Sequence, residues 1–484
     1  MVPSLAEKCG VFGVYAPEED VARLTFFGLY SLQHRGQESA GIATTDGERP
    51  HLYAQMGLVS QVFNEEVLAS LPGRAAVGHT RYSTTGSSVE ENAQPILAEG
   101  DAGWVAVSHN GNVVNADLLR AELEGEGASF RSSSDTEVIT ELLVRAPGAS
   151  WEERIAHVMR RLNGAYSLTI LTQDAVFAVR DPLGVRPLAI GRLAHGSSGG
   201  WVFASESCAL DHLGAEFVRE IEPGEIVRVD EAGLRATQAV PPRRRSLCML
   251  EYIYFARPDS RLGGELVHPV RMEMGARLAE EHPVEADLVV GVPDSAIAAA
   301  IGYARASGIP YGEALIKNRY VGRTFIHPDQ LLRERGVWLK FNPLPELLRG
   351  KRVVVVDDSI VRATTTPRVV AMLRRAGATE VHMRITSPPI THPCFYGVDM
   401  ATRSELIAAH ESVEGIRRHI DADSLGYLSV EGTVAATRQG RDGLCTACFT
   451  GDYPGAVPLQ FDKFVLESGG ARDRHAVPLT SAAP

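Results

Sequence analysis

Two different patterns of apolar and polar positions divide the chain. Residues 10 to about 235 contain many short alternating runs, such as GWVAVSHNGNVVN (103–115), separated by Gly, Asn and Asp. Alternation with a period of two predicts antiparallel strands, with a few helices packed on them. From about residue 250, short apolar runs alternate with helical stretches. This second pattern predicts a parallel sheet with helices on both faces.

The second half contains three predicted strands, DLVVGV (287–292), RVVVVDD (352–358) and VHMRITS (381–387). The first precedes a helix predicted from Asp294, and the second precedes a helix that Thr366 can cap, with Pro367 in its first turn. QAVPPRRRS (238–246) has neither periodicity, so a domain boundary is predicted within about 236–247. After Pro454 the periodicity disappears, which predicts a peripheral helix or a frayed tail.

Composition and charge narrow the class of protein. The 484 residues include 48 Lys and Arg against 60 Asp and Glu, a net charge of −12, which argues against broad nucleic-acid binding. No apolar run approaches the roughly 18 residues of a membrane helix. The start, MVPSLAEKCG, lacks the apolar centre of a secretory signal. We therefore expect a cytoplasmic protein without a nucleic-acid or membrane partner.

The stretch VVVVDDSIVRATTT (353–366) combines two opposite chemistries. Four β-branched residues predict a buried strand, so Asp357 and Asp358 lie at its carboxyl end, where open α/β sheets bind ligands. Carboxylates suit hydroxyls or a hydrated cation. The hydroxyls and Arg362 that follow, at a helix N-terminus, suit an anion. A sugar phosphate would satisfy both halves of the stretch.

Cys9 is a candidate nucleophile because of its position. A single free cysteine is most often a small buried apolar residue. If residues 1–8 were removed, however, Cys9 would carry a thiol and a free α-amino group, whose pKa of about 8 suits a general base at neutral pH. Nucleophile and base would then lie on one residue.

Four further cysteines, Cys248, Cys394, Cys445 and Cys448, come from three distant segments. A lone CxxC could be a redox pair, but this set suits a tetrathiolate metal site. Spacing alone leaves zinc and a [4Fe–4S] cluster open. Cys208 has no place in this set and is predicted to be a buried thiol.

Several motifs together resemble known enzymes. The blocks CGVFG, SLQHRGQESAG, HTRYSTTG, SHNGNVVN, SSSDTEV and VRDPLGVRPL resemble the glutamine-hydrolysing half of N-terminal-nucleophile amidotransferases. VVVVDDSIVRATTT resembles the phosphoribosyl diphosphate signature of type I phosphoribosyltransferases. The amidophosphoribosyltransferase family joins both in this order. The resemblance extends from Cys9 to about Pro454 and includes CMLEYIYFARPDS, LIKNRYVGRTFI and SPPITHPCFYGVD.

The resemblance implies a fold and a reaction. The fold is an α+β N-terminal-nucleophile hydrolase domain, an αββα sandwich, followed by an α/β type I phosphoribosyltransferase domain with a parallel sheet. The implied units are a propeptide (1–8), a glutamine amidotransferase domain (9–240), a phosphoribosyltransferase domain (248–454) and a tail (455–484). The implied reaction takes ammonia from glutamine and transfers it to phosphoribosyl diphosphate. Two rival hypotheses are another glutamine amidotransferase and a non-catalytic regulator that senses phosphoribosyl diphosphate.

The resemblance also assigns roles around Cys9. Asn110 and Gly111 match an oxyanion hole, although the dipeptide alone would favour a plain hairpin turn. Arg81 matches the clamp on the α-carboxylate of glutamine, and Asp135 matches the partner of its α-ammonium group. The histidines within these motifs, at 34, 79 and 109, are interpreted as hydrogen-bonded scaffold.

In the transferase half, the resemblance implies magnesium contacts from Ser295, Asp357 and Asp358. Residues implied to bind phosphoribosyl diphosphate are Asp294, Lys317, Arg319, Arg323, Ser359, Arg362, Ala363, Thr364, Thr365 and Thr366. Lys317, Arg319 and Arg323 are hypothesised to close over the substrate. Ala363 stands where the family usually has Gly, so either its φ is negative or the loop is slightly reshaped. Ser39 also stands where Gly is common.

Finally, the four cysteines and the leader match the subgroup of the family that has a [4Fe–4S] cluster and a cleaved propeptide. Magnesium and the cluster are therefore the implied cofactors, and the cluster is expected to be structural. The resemblance also implies feedback inhibition by purine nucleotides and a homotetramer.

Overall fold

The computed structural model describes residues 9–82, 87–194, 199–318, 340–400 and 402–457, together with Leu466. The leader 1–8 and most of the expected tail therefore lie outside the described residues. Between Gln238 and Leu247 the chain is in neither helix nor strand. Within the described ranges, no helix has both the length and the apolar composition needed to span a membrane.

Thirteen named strands lie in the described part of the first half. They are β1 (Gly10–Tyr15), β2 (Ser39–Thr45), β3 (Pro50–Met56), β4 (Ala75–Arg81), β5 (Ile96–Gly100), β6 (Gly103–Val113), β7 (Gly164–Leu171), β8 (Val176–Arg180), β9 (Ala189–Leu193), β10 (Gly200–Ala204), β11 (Glu216–Glu220), β12 (Glu225–Asp230) and β13 (Gly233–Gln238). They form two sheets of antiparallel pairs, in the orders β11-β9-β10-β1-β4-β2-β3 and β13-β12-β8-β7-β6-β5.

The helices of this half cover the outer faces of the two sheets. They are α1 (Val21–Ser31), α2 (Val59–Val62), α3 (Glu65–Ala69), α4 (Ala116–Gly125), α5 (Asp135–Arg145), α6 (Trp151–Arg161) and α7 (Ser207–His212). One apolar cluster, with Val11 and Ala106, lies between the sheets, and two others join each sheet to its helices. Polar side chains cap the helices, as where Ser150 accepts from the Glu153 N–H at the start of α6. These layers form the expected αββα sandwich.

The second half contains the strands β14 (Leu247–Cys248), β15 (Arg261–Leu262), β16 (Glu265–Leu266), β17 (Leu288–Gly291), β18 (Leu315–Lys317), β19 (Phe341–Pro343), β20 (Arg352–Asp357), β21 (Glu380–Ile385), β22 (Ser424–Tyr427) and β23 (Leu444–Cys445). The central sheet has the order β17-β20-β21-β22 and is parallel throughout. All four valines of 353–356 are fully buried. The continuous β-branched run therefore predicted this strand correctly.

The helices of the second half are α8 (Val267–Glu281), α9 (Ile297–Ser307), α10 (Pro345–Leu348), α11 (Thr366–Arg375), α12 (Val413–His419), α13 (Val430–Thr437) and α14 (Ala447–Thr450). Two predicted helix starts are wrong. Helix α9 begins at Ile297 and not at Asp294, whose carboxylate binds Lys317 instead. Thr366 is the first helical residue of α11, so Thr365 and not Thr366 occupies the cap position, while Pro367 lies in the first turn as predicted.

Candidate functional site

Cys9 lies immediately before β1, where Gly10 pairs with Thr80 of β4. This register places Cys9 beside Arg81 at the end of the neighbouring strand. The Cys9 thiol is buried and donates a hydrogen bond to the Tyr82 carbonyl oxygen at 3.3 Å. Burial raises the pKa of the thiol to about 11. The thiol is therefore neutral at pH 7, and a nucleophilic role for it requires a base that removes its proton.

Two buried charged side chains, Arg81 and Asp135, act on the pKa of this thiol. The Arg81 charge lowers the pKa, and the Asp135 charge raises it. The Arg81 guanidinium donates to the Ser87 carbonyl at 3.1 Å and lies 3.6 Å from Glu38 Oε2. Asp135, the first residue of α5, accepts from the Val113 N–H at 3.0 Å. Burial favours a raised pKa for Asp135, but the nearby His109, the Val113 N–H and Arg81 together lower it. The two fixed charges match the two charges of a free α-amino acid.

Asn110 and Gly111 lie inside strand β6, so the hairpin-turn alternative is wrong. Gly111 pairs with Tyr166 of β7, and a Cβ at position 111 would lie only 1.9 Å from the Ala165 carbonyl oxygen. Only glycine fits there. Among the described residues, the buried amide nitrogen of Asn110 has no hydrogen-bond partner. This donor is therefore available to an oxygen of a bound ligand.

The three histidines are hydrogen-bonded, as predicted. His34 Nε2 lies 2.7 Å from Glu206 Oε1, His79 Nε2 donates to the His109 carbonyl at 3.0 Å, and His109 Nδ1 lies 3.3 Å from Thr136 Oγ1. Burial lowers the pKa of His79 to about 3, so its ring is neutral at pH 7. Ser39 is buried opposite Arg81, and its hydroxyl has no partner within the described ranges.

A buried network of charged groups holds the backbone of Cys9. Arg35 donates from Nε to the Cys9 carbonyl at 3.0 Å, from Nη1 to Glu206 Oε1 at 2.5 Å and from Nη2 to Glu251 Oε1 at 2.9 Å. Arg186 lies 3.4 Å from the same oxygen of Glu251. These roles were not predicted from the sequence, although Arg35, Arg186 and Glu251 lie within the quoted motifs. Nothing in the sequence indicates that these particular charges are buried together.

Tyr82 connects the two halves of the protein. Its carbonyl oxygen accepts from the Cys9 thiol in the first half. Burial raises the pKa of its phenol, Asp399 and Glu38 raise it further, and Arg362 opposes them. Because Asp399 and Arg362 belong to the second half, the Tyr82 phenol lies close enough to that half for its charges to act on the phenol.

Asp357 and Asp358 lie at the carboxyl end of β20, as the sequence predicts. Asp358 accepts from Ser295 at 2.5 Å and from its neighbour Ser359 at 2.6 Å. Burial raises the pKa of both carboxyls, and proximity to Asp358 raises that of Asp357 further. Lys340 opposes this rise in both. The paired carboxyls are therefore a site that a bound cation would stabilise in the charged form.

The loop between Asp358 and α11 presents donors at the start of that helix. Thr365 Oγ1 is buried and has no partner among the residues that the structure describes. Arg362 donates to Glu405 Oε2 at 2.8 Å. Ala363 has φ +50°, so the alternative with a negative φ is wrong. Alanine keeps a left-handed conformation there, at a cost of about 1–2 kcal/mol.

Asp294, which precedes α9, and Lys317, the last residue of β18, form an ion pair. The peptide bond before Asp294 is cis. The remaining predicted cations of this region, Arg319 and Arg323, lie outside the described residues. Any closure of the segment 317–323 over a substrate therefore stays a prediction.

The four cysteines of the predicted metal site converge. Parallel pairing of β14 and β23 places Cys248 opposite Cys445. Burial raises the pKa of all four thiols, and for Cys394, Cys445 and Cys448 other cysteines of the set raise it further. Across the described ranges, no three His, Cys, Asp or Glu side chains are grouped closely enough to hold one metal ion. Cys208 lies apart, with its buried thiol 3.8 Å from Glu206 Oε2.

Comparison with protein families gives two domain matches. A glutamine amidotransferase domain matches residues 79–212. A phosphoribosyl transferase domain matches residues 271–386. The first match contains Arg81, Asn110, Gly111 and Asp135, and the second contains the Asp357–Asp358 pair.

Three curated relatives are similar over nearly their whole length, and each is named amidophosphoribosyltransferase. The Synechococcus elongatus protein is 53% identical, over 96% of this chain and 94% of the relative. The Archaeoglobus fulgidus protein is 53% identical, over 93% and 98%. The Bacillus subtilis protein is 50% identical, over 94% and 95%.

Two solved structures are similar in fold. The allosteric regulatory enzyme of purine biosynthesis has a TM-score of 0.88 and 49% identity, covering 93% of this chain and 97% of the other. The glutamine phosphoribosylpyrophosphate amidotransferase from B. subtilis, complexed with ADP and GMP, has a TM-score of 0.86 and 50% identity, covering 92% and 97%. From this agreement in sequence and in fold, this chain belongs to the amidophosphoribosyltransferase family.

Proposed function

We propose that this protein hydrolyses glutamine at Cys9 and transfers the ammonia to phosphoribosyl diphosphate. The products are 5-phosphoribosylamine, glutamate and diphosphate, and the reaction is the first step of purine synthesis. One observation carries the proposal above all: the buried Cys9 thiol donates to the Tyr82 carbonyl, and the charge of Arg362, in the loop that follows Asp358, acts on the pKa of the Tyr82 phenol. A site for an α-amino acid and a site for a sugar phosphate thus adjoin within one chain.

The glutamine half of the reaction begins with binding. The Arg81 guanidinium holds the α-carboxylate of glutamine, and the Asp135 carboxylate holds its α-ammonium group. Both partners are already buried and charged. Little reorganisation is then needed when the substrate enters, and the side-chain amide of glutamine is directed toward Cys9.

Hydrolysis requires a base, because the buried thiol holds its proton at neutral pH. After removal of residues 1–8, the free α-amino group of Cys9 takes that proton as sulfur attacks the amide carbon. The negative charge that develops on the amide oxygen is stabilised by Asn110 Nδ2 and the Gly111 N–H. The same amino group, now protonated, donates to the departing ammonia, and water releases glutamate from sulfur.

In the transferase half, the two ends of phosphoribosyl diphosphate meet different residues. Ser359, Arg362, Ala363, Thr364, Thr365 and Thr366 bind the 5′-phosphate at the start of α11. Asp294, Lys317, Arg319 and Arg323 are the residues proposed to bind the diphosphate end. The carboxylates of Asp357 and Asp358 hold the ribose hydroxyls and, with Ser295, complete the shell of Mg²⁺. When bound, Mg²⁺ supplies charge neutralisation for the departing diphosphate.

We also propose that the four-cysteine set holds a [4Fe–4S] cluster and that the leader is cleaved. Within the described residues, none of the four cysteines of the set forms a disulfide. The buried Arg186 guanidinium favours the thiolate form of Cys248, Cys394 and Cys445. Parallel pairing of β14 and β23 places Cys248 opposite Cys445, and the four positions match the subgroup of the family that has the cluster. When bound, the cluster supplies a structural cross-link.

The regulation and the oligomeric state proposed for this chain are inferred from its family. The B. subtilis relative was solved with ADP and GMP, so we propose purine nucleotides as inhibitors of this chain. We also propose that the protein is a homotetramer and that it is located in the cytoplasm, where thiols stay reduced.

The loop 357–366 argues against another glutamine amidotransferase, and the buried Cys9 site argues against a regulator without catalysis.

Substitution of Cys9 by Ala tests the proposal. Cys9→Ala should abolish glutamine-dependent synthesis of phosphoribosylamine and leave ammonia-dependent synthesis intact, whereas Cys208→Ala should change neither. In the wild type, phosphoribosyl diphosphate should strongly stimulate glutamate release. Persistent glutamine hydrolysis by Cys9→Ala would contradict the assigned nucleophile. Intact mass shows whether the mature chain begins at Cys9, and a fully active chain that retains Lys8 would contradict the assigned base.

A further inference from the structure

A loop of the transferase half packs directly against the strand that carries the oxyanion donors. This loop, which we call the cysteine loop, comprises residues 394–400. Gly397 approaches Gly111 of β6 so closely that a Cβ at position 397 would lie 2.8 Å from the Gly111 carbonyl oxygen and 2.9 Å from its carbonyl carbon. The next residue of β6, Asn112, donates from Nδ2 to the Phe395 carbonyl at 2.9 Å. Two consecutive residues of β6 therefore contact the same loop.

The cysteine loop also has an internal structure that makes it a firm support. Its backbone closes on itself where the Cys394 N–H donates to the Met400 carbonyl at 3.0 Å. The Tyr396 N–H donates to Cys394 Sγ at 3.4 Å. Arg186, which belongs to the glutamine half, donates to the Tyr396 carbonyl. The loop is thus held from both halves of the protein, and its first residue belongs to the four-cysteine set.

Gly397 combines a positive φ with a close contact to Gly111 of β6, and Gly264 offers a comparison without such a contact. Gly397 has φ +92°, a conformation that favours glycine. Gly264 has a similar φ of +85°, but a Cβ there would meet nothing within 4 Å. The two glycines share a positive φ and differ in the contact with β6. Alanine at either position has the cost of a left-handed conformation, but only alanine at position 397 would also displace strand β6. Comparison of the two substitutions therefore separates these two effects.

We infer that Gly397 and Asn112 are positioning residues for glutamine hydrolysis. Through them the cysteine loop fixes the backbone of Gly111, and with it the position of the Gly111 N–H beside Asn110. This inference rests on the glutamine-hydrolysing role proposed above. It assigns the transferase half a part in the first half-reaction, because the back of the oxyanion strand is supported by that half. Displacement of the strand by a few tenths of an ångström would misalign donors that act only on the developing charge.

Gly397→Ala is the test, with Gly264→Ala as the matched control. The probe is the γ-aldehyde analogue of glutamate, which adds to the Cys9 thiol and places an oxyanion where the reaction does. In Gly397→Ala we expect at least a tenfold loss of aldehyde affinity and of glutaminase kcat. Glutamate affinity and the KM for glutamine should change less than about twofold. Ammonia-dependent synthesis and iron content should stay at the level of Gly264→Ala.

Asn112→Ala supplies a second test that leaves the loop backbone untouched. It removes the hydrogen bond from Asn112 Nδ2 to the Phe395 carbonyl, so the same selective loss is expected on a smaller scale. If both variants keep the aldehyde affinity of Gly264→Ala, the inference is wrong. It is also wrong if ammonia-dependent synthesis falls in parallel with glutamine hydrolysis. Failure of wild-type protein to bind the aldehyde would instead contradict the proposed function itself.

Discussion

Arg35 and Cys9 are joined by a hydrogen bond from the Arg35 Nε to the Cys9 carbonyl oxygen at 3.0 Å. The remaining nitrogens of this guanidinium bind Glu206 and Glu251, and all three side chains are almost completely buried. The peptide that carries the candidate nucleophile is therefore fixed by a charged network that reaches into the transferase half. That network makes the position of Cys9 depend on a residue 216 positions away from Arg35 in sequence.

Arg35→Lys should destabilise the protein and slow glutamine hydrolysis. Lysine keeps the positive charge but lacks the planar fork that reaches two carboxylates and a carbonyl together. We expect a loss of about 1–3 kcal/mol for the unmade buried hydrogen bonds. Thermal denaturation measures the stability. Glutamine-dependent and ammonia-dependent rates show whether only the first half-reaction is affected.

Arg23→Lys is the matched control for this change. Arg23 also binds two carboxylates, Asp20 and Glu65, but it lies at the exposed start of α1. Exposed pairs contribute at most about 1 kcal/mol, so this variant should remain close to wild type. Equal effects of the two substitutions would show that burial of the Arg35 network has no special role.

Asn110→Ala should lower kcat for glutamine hydrolysis by about 10²–10³-fold, the usual effect of removing one oxyanion donor. The KM for glutamine should change little, because the proposed function assigns binding of the unreactive parts of glutamine to Arg81 and Asp135. Asp135→Asn is the contrasting variant, and it should mainly raise KM. Steady-state kinetics of glutamate release separate the two effects. A raised KM with unchanged kcat in Asn110→Ala would place that amide in substrate binding instead.

Local sequence pattern correctly predicted elements in which every residue has the same degree of burial. Val353–Val356 are apolar on both faces and form a strand buried on both faces. Asp357 and Asp358 then had to lie at the sheet edge where ligands bind. The start of α9 was less predictable, because the carboxylate of Asp294 could cap a helix or bind a cation. Only the folded chain shows that Lys317 lies within its reach.

The strand position of Asn110 and Gly111 could not be predicted from local sequence pattern. By itself the dipeptide favours a turn, whereas the folded chain places it inside a strand beside β7. The reason for glycine is the Ala165 carbonyl of that neighbouring strand, which sequence spacing cannot locate. The Arg35, Glu251 and Arg186 network was missed for a related reason. A charged residue is predicted to be exposed unless its buried partner is known.

Substitution of one cysteine should distinguish the four-cysteine set from the isolated thiol. Cys448→Ser should lose the iron and sulfide that a [4Fe–4S] cluster contributes, about four atoms of each per chain. Cys208→Ser, which changes another buried cysteine, should retain both. Metal analysis of protein purified without oxygen measures the outcome. Zinc in place of iron, or iron retained by Cys448→Ser, would contradict the assigned cluster.

Ala363 should tolerate glycine but not valine. Glycine would relieve about 1–2 kcal/mol of left-handed strain at φ +50°. The same change loses about 0.8 kcal/mol of methyl burial and adds about 0.4–1 kcal/mol of unfolded-state entropy. The net effect on stability should therefore stay within about 1 kcal/mol. Ala363→Val adds a branched side chain in this conformation, so it should destabilise the loop and weaken binding of phosphoribosyl diphosphate. Calorimetry measures both quantities, and equal behaviour of the two variants would rule out a strained loop.

Acidification should destabilise the glutamine half through His79. Burial lowers the pKa of this imidazole to about 3, against about 6.5 in the unfolded chain. Between these values the unfolded state binds more protons, so the contribution of neutral His79 is complete above pH 6.5 and decreases as pH falls. His79→Gln retains a donor for the His109 carbonyl but does not titrate. Below pH 6.5 the wild type should therefore lose more stability than this variant, with a slope that approaches about 1.4 kcal/mol per pH unit once the pH is about one unit below 6.5. Thermal midpoints of both proteins at pH 7, 6 and 5 measure the difference, and parallel pH profiles would mean that His79 is not held neutral by the fold.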